Sequence, residues 1–298
     1  MNSQYQDTVA AQPDKPIGDI IAETKNLSPE QIKQVLEFQK NTGQKFGEAA
    51  VALGLAKRED VLWALSQQFH YPYADGIKTV NSELVAATNP FDAPAEFFRE
   101  IRSQLLPTVF KNEDPRRALA VCSPNSGDGK SYFAANLAIA FSQLGGRTLL
   151  LDADVRTPRQ HEIFGLPNDH TTSGLSGVLA GRAESNVIRP IEALPALFLM
   201  PVGVVPPNPL ELVQKPTFDF LLNELVRKFD YVIVDTPAAE HGADARVIAA
   251  KCGASLALCR QGSTSAAAMQ NLVKSLKSGS ALFAGTIMNS YTGSGRHK

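Results

Sequence analysis

Cys122-Ser-Pro-Asn-Ser-Gly-Asp-Gly-Lys-Ser-Tyr132 (CSPNSGDGKSY) is the stretch from which the rest of the chain can be read. It closes on Gly129-Lys130-Ser131, the end of the phosphate-loop pattern G-x-x-x-x-G-K-[ST], although Pro124 stands where the opening glycine belongs. Before it, Arg117 to Cys122 reads as a short buried strand. After it, Ser131 to Leu144 reads as a helix ending at Gly145-Gly146. Strand, glycine-rich loop and helix N-terminus form the setting in which backbone N–H groups receive phosphate. The backbone of Gly127, Asp128, Gly129 and Lys130 is expected to cradle phosphates. The Lys130 ammonium would neutralise them, and the Ser131 hydroxyl would ligate Mg²⁺. Ser126 and Tyr132 complete the expected nucleotide-binding set. Tyr132 occupies the third glycine position of G-x-G-x-x-G, which argues against a dinucleotide fingerprint.

Two further strands support this expectation. Arg147-Thr-Leu-Leu-Leu-Asp-Ala-Asp154 is apolar and ends in two carboxylates, Asp152 and Asp154, which a period of two puts on one side of the chain. Asp230-Tyr-Val-Ile-Val-Asp235 is a second apolar strand ending in a carboxylate, a Walker B pattern. A lone Asp after a strand is usually a turn former. Three of them at strand ends beside a phosphate loop point to Mg²⁺ and acid–base work. Ala196–Pro201, Ser255–Arg260 and Leu282–Asn289 read as the remaining strands. Pro209–Lys228, Ala243–Lys251 and Ser265–Lys277 read as helices between them. The alternation predicts an α/β fold, a doubly wound, mostly parallel sheet, preceded by a small all-helical domain.

That helical domain is a tandem repeat. Pro16 to Gln39 aligns with Lys45 to Gln68, pairing Ile17 with Phe46, Gly18 with Gly47, Ile32 with Val61 and Gln39 with Gln68. Each unit reads as helix, turn, helix. Ser28-Pro29-Glu30-Gln31 is a helix start, Gly54 marks the second turn, and Lys25-Asn26 takes that place in the first. The predicted organisation is 1–15 disordered, 16–74 helical repeats, 75–94 linker, 95–289 nucleotide domain and 290–298 flexible tail. In the helix expected from Ala95 to Leu106, Glu96, Arg99 and Arg102 recur along one side, the pattern of a solvated ion-paired face.

The chain of 298 residues has a net charge of -1, so no global basic field calls for nucleic acid. Its three cysteines lack metal-ligand spacing and read as structural thiols of a reducing compartment. The polar N-terminus does not read as a signal peptide. No apolar run reaches the ~18 residues of a spanning helix, so a membrane role is expected only through a partner.

The repeats resemble the N-terminal domain of type II secretion and pilus ATPases, some of which bind cyclic di-GMP. The resemblance implies possible dinucleotide contacts at Lys45, Gly47 and Gln68. The motif's leading Arg is Pro16 and Lys45 here, and lysine lacks the guanidinium fork, so a helical adaptor is the simpler reading. From Ala95 to about Asn289 the chain resembles the bacterial tyrosine kinases of exopolysaccharide machinery, through Glu96-x-x-Arg99-x-x-Arg102, Ser126-Gly-Asp-Gly-Lys-Ser131, Leu151-Asp-Ala-Asp-Val-Arg156-x-Pro158, Gly174-Leu-Ser-Gly-Val-Leu-Ala-Gly181, Val205-Pro-Pro-Asn-Pro-Leu-Glu-Leu212 and Val232-Ile-Val-Asp-Thr-Pro237. With the repeats, it is most similar to the EpsG-type chain-length-determinant kinases.

The resemblance implies a ParA/MinD-like fold, ATP and Mg²⁺ as cofactors, and γ-phosphoryl transfer to tyrosine. It implies Asp152 facing the acceptor hydroxyl as base or orienting group, Asp154 supporting Mg²⁺ and the attack geometry in catalysis, Asp235 holding Mg²⁺ through water, Lys130 serving catalysis, and Arg260 and Asn289 near the adenine. The Glu96, Arg99, Arg102 face would dock a neighbouring protomer in a homo-oligomeric ring. A membrane chain-length-determinant protein would act in trans and recruit the cytoplasmic kinase to the inner face of the plasma membrane. Such kinases often end in a tyrosine cluster, whereas this chain ends NSYTGSGRHK with Tyr291 as the sole candidate acceptor. A ParA/MinD-like ATPase switch and a nucleotide-binding signalling adaptor remain alternatives. Asn125, at the position of the switch family's signature lysine, counts against the first.

Overall fold

The computed structural model describes residues 15–68, 81–111, 113–166, 173–182, 185–279 and 281–290. The chain divides into two compact units, Met1–Tyr71 and Pro72–Lys298.

The first unit holds α1 (Ile17–Lys25), α2 (Pro29–Thr42), α3 (Phe46–Ala52) and α4 (Arg58–Gln68). Its helix starts are locally encoded. The Ser28 hydroxyl accepts from the Gln31 backbone N–H at 3.2 Å, and Gln31 Oε1 accepts from the Ser28 N–H at 2.8 Å. The N–H of Lys45 finds Glu48, and that of Lys57 finds Asp60. The left-handed turn residue after α1 is Asn26 at φ 49°, one position later than alignment with Gly54 places it. Ile21, Val35, Ala49, Ala50, Ala56 and Ala64 form the small core. The repeated glycines sit at close helix contacts. A Cβ on Gly47 would lie 2.6 Å from Val61 Cγ1, and one on Gly18 would lie 3.2 Å from Phe46 Cγ. Packing therefore accounts for both glycines.

The second unit is built on seven strands: β1 (Ala118–Cys122), β2 (Thr148–Asp152), β3 (Arg189–Ile191), β4 (Leu194–Met200), β5 (Tyr231–Asp235), β6 (Gly253–Arg260) and β7 (Leu282–Asn289). They lie in the order β3-β4-β2-β5-β1-β6-β7, and every pair is parallel except β3 with β4. β1 and β2 are buried throughout, which is why they read as continuous apolar runs rather than alternating ones. Alternate residues feed opposite layers. Leu119 and Val121 join a core with α5 (Val85–Thr88), α6 (Ala93–Leu105) and α7 (Lys130–Ser142). Ala118, Ala120 and Cys122 join one built from α9 (Leu175–Leu179), α10 (Pro209–Gln214), α11 (Pro216–Lys228), α12 (Asp244–Cys252) and α13 (Ala266–Lys277). A short helix, α8 (Gln160–Ile163), follows β2. The expected doubly wound sheet is what the chain forms.

Three local expectations need correction. The helix read across Pro209–Lys228 is two helices, because Lys215, preceding Pro216, is extended at φ -57°, ψ 146°. The strand read through Asp154 stops at Asp152. In the stretch read as a linker, 75–94, the described part is docked on α7. The Ala86 N–H donates to Asn136 Oδ1 at 2.9 Å, Gln143 Nε2 donates to the Ala86 carbonyl at 2.8 Å, and Leu84 is buried. Asn136 and Gln143 thus turn a punctuated segment into part of the sheet unit.

The register decides where the functional residues meet. Val121 stands opposite Asp235, and Asp152 stands opposite Asp235 on the other side. The carboxyl ends of β1, β2 and β5 are therefore level, at the edge where open α/β sheets bind ligands.

Candidate functional site

The loop between β1 and α7 needs left-handed backbone at two places, Gly127 (φ 80°) and Gly129 (φ 101°). Pro124 needs none. Its carbonyl accepts from the Glu240 N–H at 2.9 Å, beside a second bond from the Ala239 N–H to the Ser123 carbonyl. Gly129 is also sterically confined, since an added Cβ would lie 2.5 Å from Asn289 Nδ2. Gly129→Ala is therefore expected to destabilise the protein by about 2 kcal/mol through the backbone alone and to weaken nucleotide binding. Urea unfolding and nucleotide titration check it.

The loop is held from behind by groups distant in sequence. Asp128 is buried and does not face the cradle. Its Oδ2 accepts from the Asn125 N–H at 2.9 Å and its Oδ1 from the Thr264 hydroxyl at 2.7 Å. Asn289 Nδ2 donates to the Asp128 carbonyl at 3.0 Å, and Arg260 Nη1 donates to the Gly127 carbonyl at 3.4 Å. Arg260 and Asn289, expected near an adenine, are thus brought against the phosphate loop itself. Tyr132 is half-buried against the core, its ring 6.0 Å from that of Phe98, and burial pushes its phenol pKa upward.

Lys130 lies at the first turn of α7 and is only 6% exposed. Its ammonium acts electrostatically on Asp235 and Glu240. Asp152 and Asp235 are fully buried. Asp152 Oδ1 accepts from the Asp154 N–H and its Oδ2 from the Gln160 N–H, both at 3.1 Å. Burial, then the charge of Asp235, hold the Asp152 carboxyl well above the ordinary range. Burial pushes Asp235 to about 6 against the lowering pull of Lys130 and a hydrogen bond with the Ser131 side chain. Asp154 is engaged in a local turn. Its Oδ1 accepts from the N–H groups of Arg156 and Thr157, and its Oδ2 from the Thr157 hydroxyl at 3.0 Å. Arg156 grips the buried Asp244 through Nε and Nη2 at 3.0–3.3 Å, tying this turn to α12.

The side chains suit Mg²⁺ bound to phosphate. Asp235 lies within electrostatic reach of the Ser131 side chain and Lys130, and its buried Oδ1 has no protein donor. No three His, Cys, Asp or Glu side chains among the described residues form a metal cage by themselves. Mg²⁺ needs none, taking one or two side chains and completing its shell with phosphate oxygens and water.

Residues without a sequence motif also enter the site. Gln160 bridges Ser131 and Asp235, donating from Nε2 to the Ser131 carbonyl at 3.0 Å and to Asp235 Oδ2 at 2.8 Å. The turn Ala239–His241 leans on the loop. Glu240 Oε1 accepts from the Ser126 N–H at 2.6 Å, and His241 Nε2 lies 2.9 Å from Ser126 Oγ. The bond to Ser126 keeps the Glu240 carboxyl below its ordinary range. A carboxylate beside a phosphate cradle opposes the most highly charged ligand. Glu240→Gln is therefore expected to tighten ATP about threefold and ADP less, given the screening at an exposed site. Competition with a fluorescent nucleotide would show it.

The remaining expected residues lie elsewhere. On α6, Arg99 pairs with Glu96 at 2.7 Å and with the Pro90 carbonyl, and Arg102 Nη1 donates to the Ala140 carbonyl at 2.5 Å. The arginines of that face thus already bind within the chain, while the Glu96 side chain is 71% exposed. In the first unit, Lys45 caps α3 from an exposed position, Gly47 is buried in packing, and Gln68 ends α4 half-buried. Tyr291 lies outside the described residues. No described helix is long and apolar enough to cross a membrane.

Residues 119–298 match the CobQ/CobB/MinD/ParA nucleotide binding domain, and the chain is a member of that family. Within it, the chain is 35% identical over 172 residues to a putative tyrosine-protein kinase CapB of Staphylococcus aureus, covering 58% of this chain and 73% of that one. It is 31% identical over 194 residues to the tyrosine-protein kinase CpsD of Streptococcus agalactiae, covering 65% and 82%. The kinase domain of the Escherichia coli tyrosine kinase ETK superimposes with a TM-score of 0.64 at 30% identity, covering 72% of this chain and 82% of that one. A chimerical protein CapA2B2 matches equally well at 29% identity, covering 76% and 96%. MinD of Pyrococcus horikoshii in complex with Mg-ADP shares the fold, with a TM-score of 0.51 at 21% identity over 60% and 72% of the two chains. The chain belongs to the bacterial tyrosine-protein kinases.

Proposed function

We propose that the protein is an ATP- and Mg²⁺-dependent tyrosine autokinase of the EpsG type, regulating exopolysaccharide chain length, polymerisation or export. The convergence of Lys130, Ser131, Asp152 and Asp235 at the level carboxyl ends of three adjacent strands carries this reading. Phosphoryl transfer is catalysed mainly by positioning and charge neutralisation. The loop N–H groups and Lys130 hold the phosphates, and Mg²⁺, held through Ser131 and Asp235 with Asp154 in support, would offset charge on the β- and γ-oxygens. An acceptor tyrosine oxygen attacks the γ-phosphorus in line. The bond to the β–γ bridging oxygen breaks, ADP leaves, and the phenolic proton passes to Asp152. A carboxyl held above its ordinary range is a better proton acceptor than an exposed one.

The acceptor we assign is Tyr291, reached in trans by the tail of one protomer entering its neighbour, with the Glu96 face of α6 at the ring contact. A membrane chain-length determinant supplies recruitment to the inner face of the plasma membrane. The similarity to the chimerical protein CapA2B2 supports partnering. For the helical repeats we favour an adaptor role over cyclic di-GMP binding, because Gly47 is used in packing and Leu36, Val51 and Leu53 are exposed apolar side chains. Heat on calorimetric titration with cyclic di-GMP, lost in Lys45→Ala, would reverse that choice.

The deciding experiment incubates the purified protein with labelled ATP and Mg²⁺, with and without the cytosolic segment of the membrane partner, and maps phosphotyrosine. Labelled Tyr291, absent in Tyr291→Phe, is expected. ATP hydrolysis without phosphotyrosine in either condition would leave the ATPase-switch reading in its place.

A further inference from the structure

Gln160 is fully buried, and its backbone and side chain together join all three motif segments. Its backbone N–H donates to Asp152 at the end of β2. Its side-chain Nε2 donates both to Asp235 at the end of β5 and to the Ser131 carbonyl in the first turn of α7. Each partner of the central amide–carboxylate bond keeps one buried oxygen without a donor, Gln160 Oε1 and Asp235 Oδ1. Buried acceptors are rarely left unpaired, and those that are call for an absent water or ion. Neither a hydrocarbon nor a carboxylate could replace this amide. The first offers no donor to Asp235, and the second would add a third negative group beside Asp152 and Asp235.

We propose that Gln160 is a positioning residue for the Mg²⁺–nucleotide complex. Its Nε2 fixes Asp235 through Oδ2 so that Oδ1 is presented to the hydrated cation, and its Oε1 receives a hydrogen bond from a metal-bound water. This assignment rests on the nucleotide-site reading above and adds a residue that no motif contains. Groups that orient metal ligands from behind alter metal affinity by about 10–100-fold when removed.

The test measures binding of a fluorescent ATP analogue in EDTA and across a Mg²⁺ titration, for the parent, Gln160→Met and Gln160→Asn. Methionine keeps the length and removes the polar atoms. Asparagine keeps the amide and withdraws it by one methylene. In both variants the half-saturating Mg²⁺ concentration is expected to rise at least about tenfold, a larger change than any in their binding in EDTA. A variant titration that superimposes on the parent's overturns the assignment. A parent that binds no nucleotide under any condition overturns the nucleotide reading instead. Should the variants not fold, the parent decides alone. The Gln160 side-chain amide resonance is expected to move on adding Mg²⁺ with ATP and to stay put on adding ATP in EDTA. Equal behaviour in the two would overturn the proposal.

Discussion

Lys130→Met is expected to lower phosphotyrosine formation by at least about a hundredfold, the usual loss when one preorganised electrostatic contact to the transition state is removed. Lys130 is almost enclosed, and its ammonium is the cation that pulls on both Asp235 and Glu240. Methionine fills much of the space of the lysine stem, so the fold should persist and the loss should be chemical. The charge balance of the apo site changes with it. Without the ammonium, Asp235 is pushed further above its ordinary range, so Mg²⁺ must compete harder with a proton. Quantified phosphotyrosine in single-turnover mixtures, with circular dichroism as the control for folding, reads the result. Activity above a tenth of the parent's would mean that Lys130 does not contact the transferring group.

Asp235→Asn is expected to separate activity from stability. Activity should fall with loss of the Mg²⁺ contact, yet the nucleotide-free protein should become more stable at alkaline pH. The folded pKa is about 6 against a reference of 3.8. The folded state therefore holds the proton more tightly than the unfolded chain. Protonation-linked stability is fully present below 3.8 and is lost as the pH rises through 6. The difference between about 6 and 3.8 corresponds to about 3 kcal/mol at pH 8, which a neutral side chain no longer forfeits. For a unit of this size that is a rise in Tm of about 5–10 °C at pH 8, shrinking towards zero near pH 4. Thermal unfolding at the two pH values checks the sign. A lower Tm for Asp235→Asn at pH 8 would show that the buried carboxylate stabilises the empty site.

Both expectations concern residues that announce themselves in the sequence. Lys130 and Ser131 follow two glycines after an apolar run, and Asp152 and Asp235 end apolar runs of their own, so local pattern alone singles them out. The paired glycines and the Ser28 cap of the repeats are visible for the same reason. A cap, a turn and a strand end each depend on neighbours within a few residues. Where local pattern misled, a distant partner intervened. Residues 81–94 are punctuated like a linker, yet Asn136 and Gln143 hold the Ala86 backbone through bonds spanning 50 and 57 positions. Arg99 and Arg102 have the spacing of a free helix face, yet they are spent on the Pro90 and Ala140 carbonyls.

The alternation of strands and helices, the phosphate loop and the identity of the three acidic residues were thus written in the chain, because hydrophobic runs, glycines and strand-terminal aspartates act through nearest neighbours. Tertiary structure alone decided how those acids divide their work. Asp154 accepts hydrogen bonds within its own turn, Asp152 and Asp235 are buried at adjacent strand ends, and Gln160 bridges Asp235 to Ser131. Thr264, Asn289 and Glu240 reach the loop across 136, 161 and 114 positions. No spacing encodes such contacts. They exist because the parallel register brings three strand ends level, and because burial there makes unpaired polar groups costly, which favours partners from distant segments.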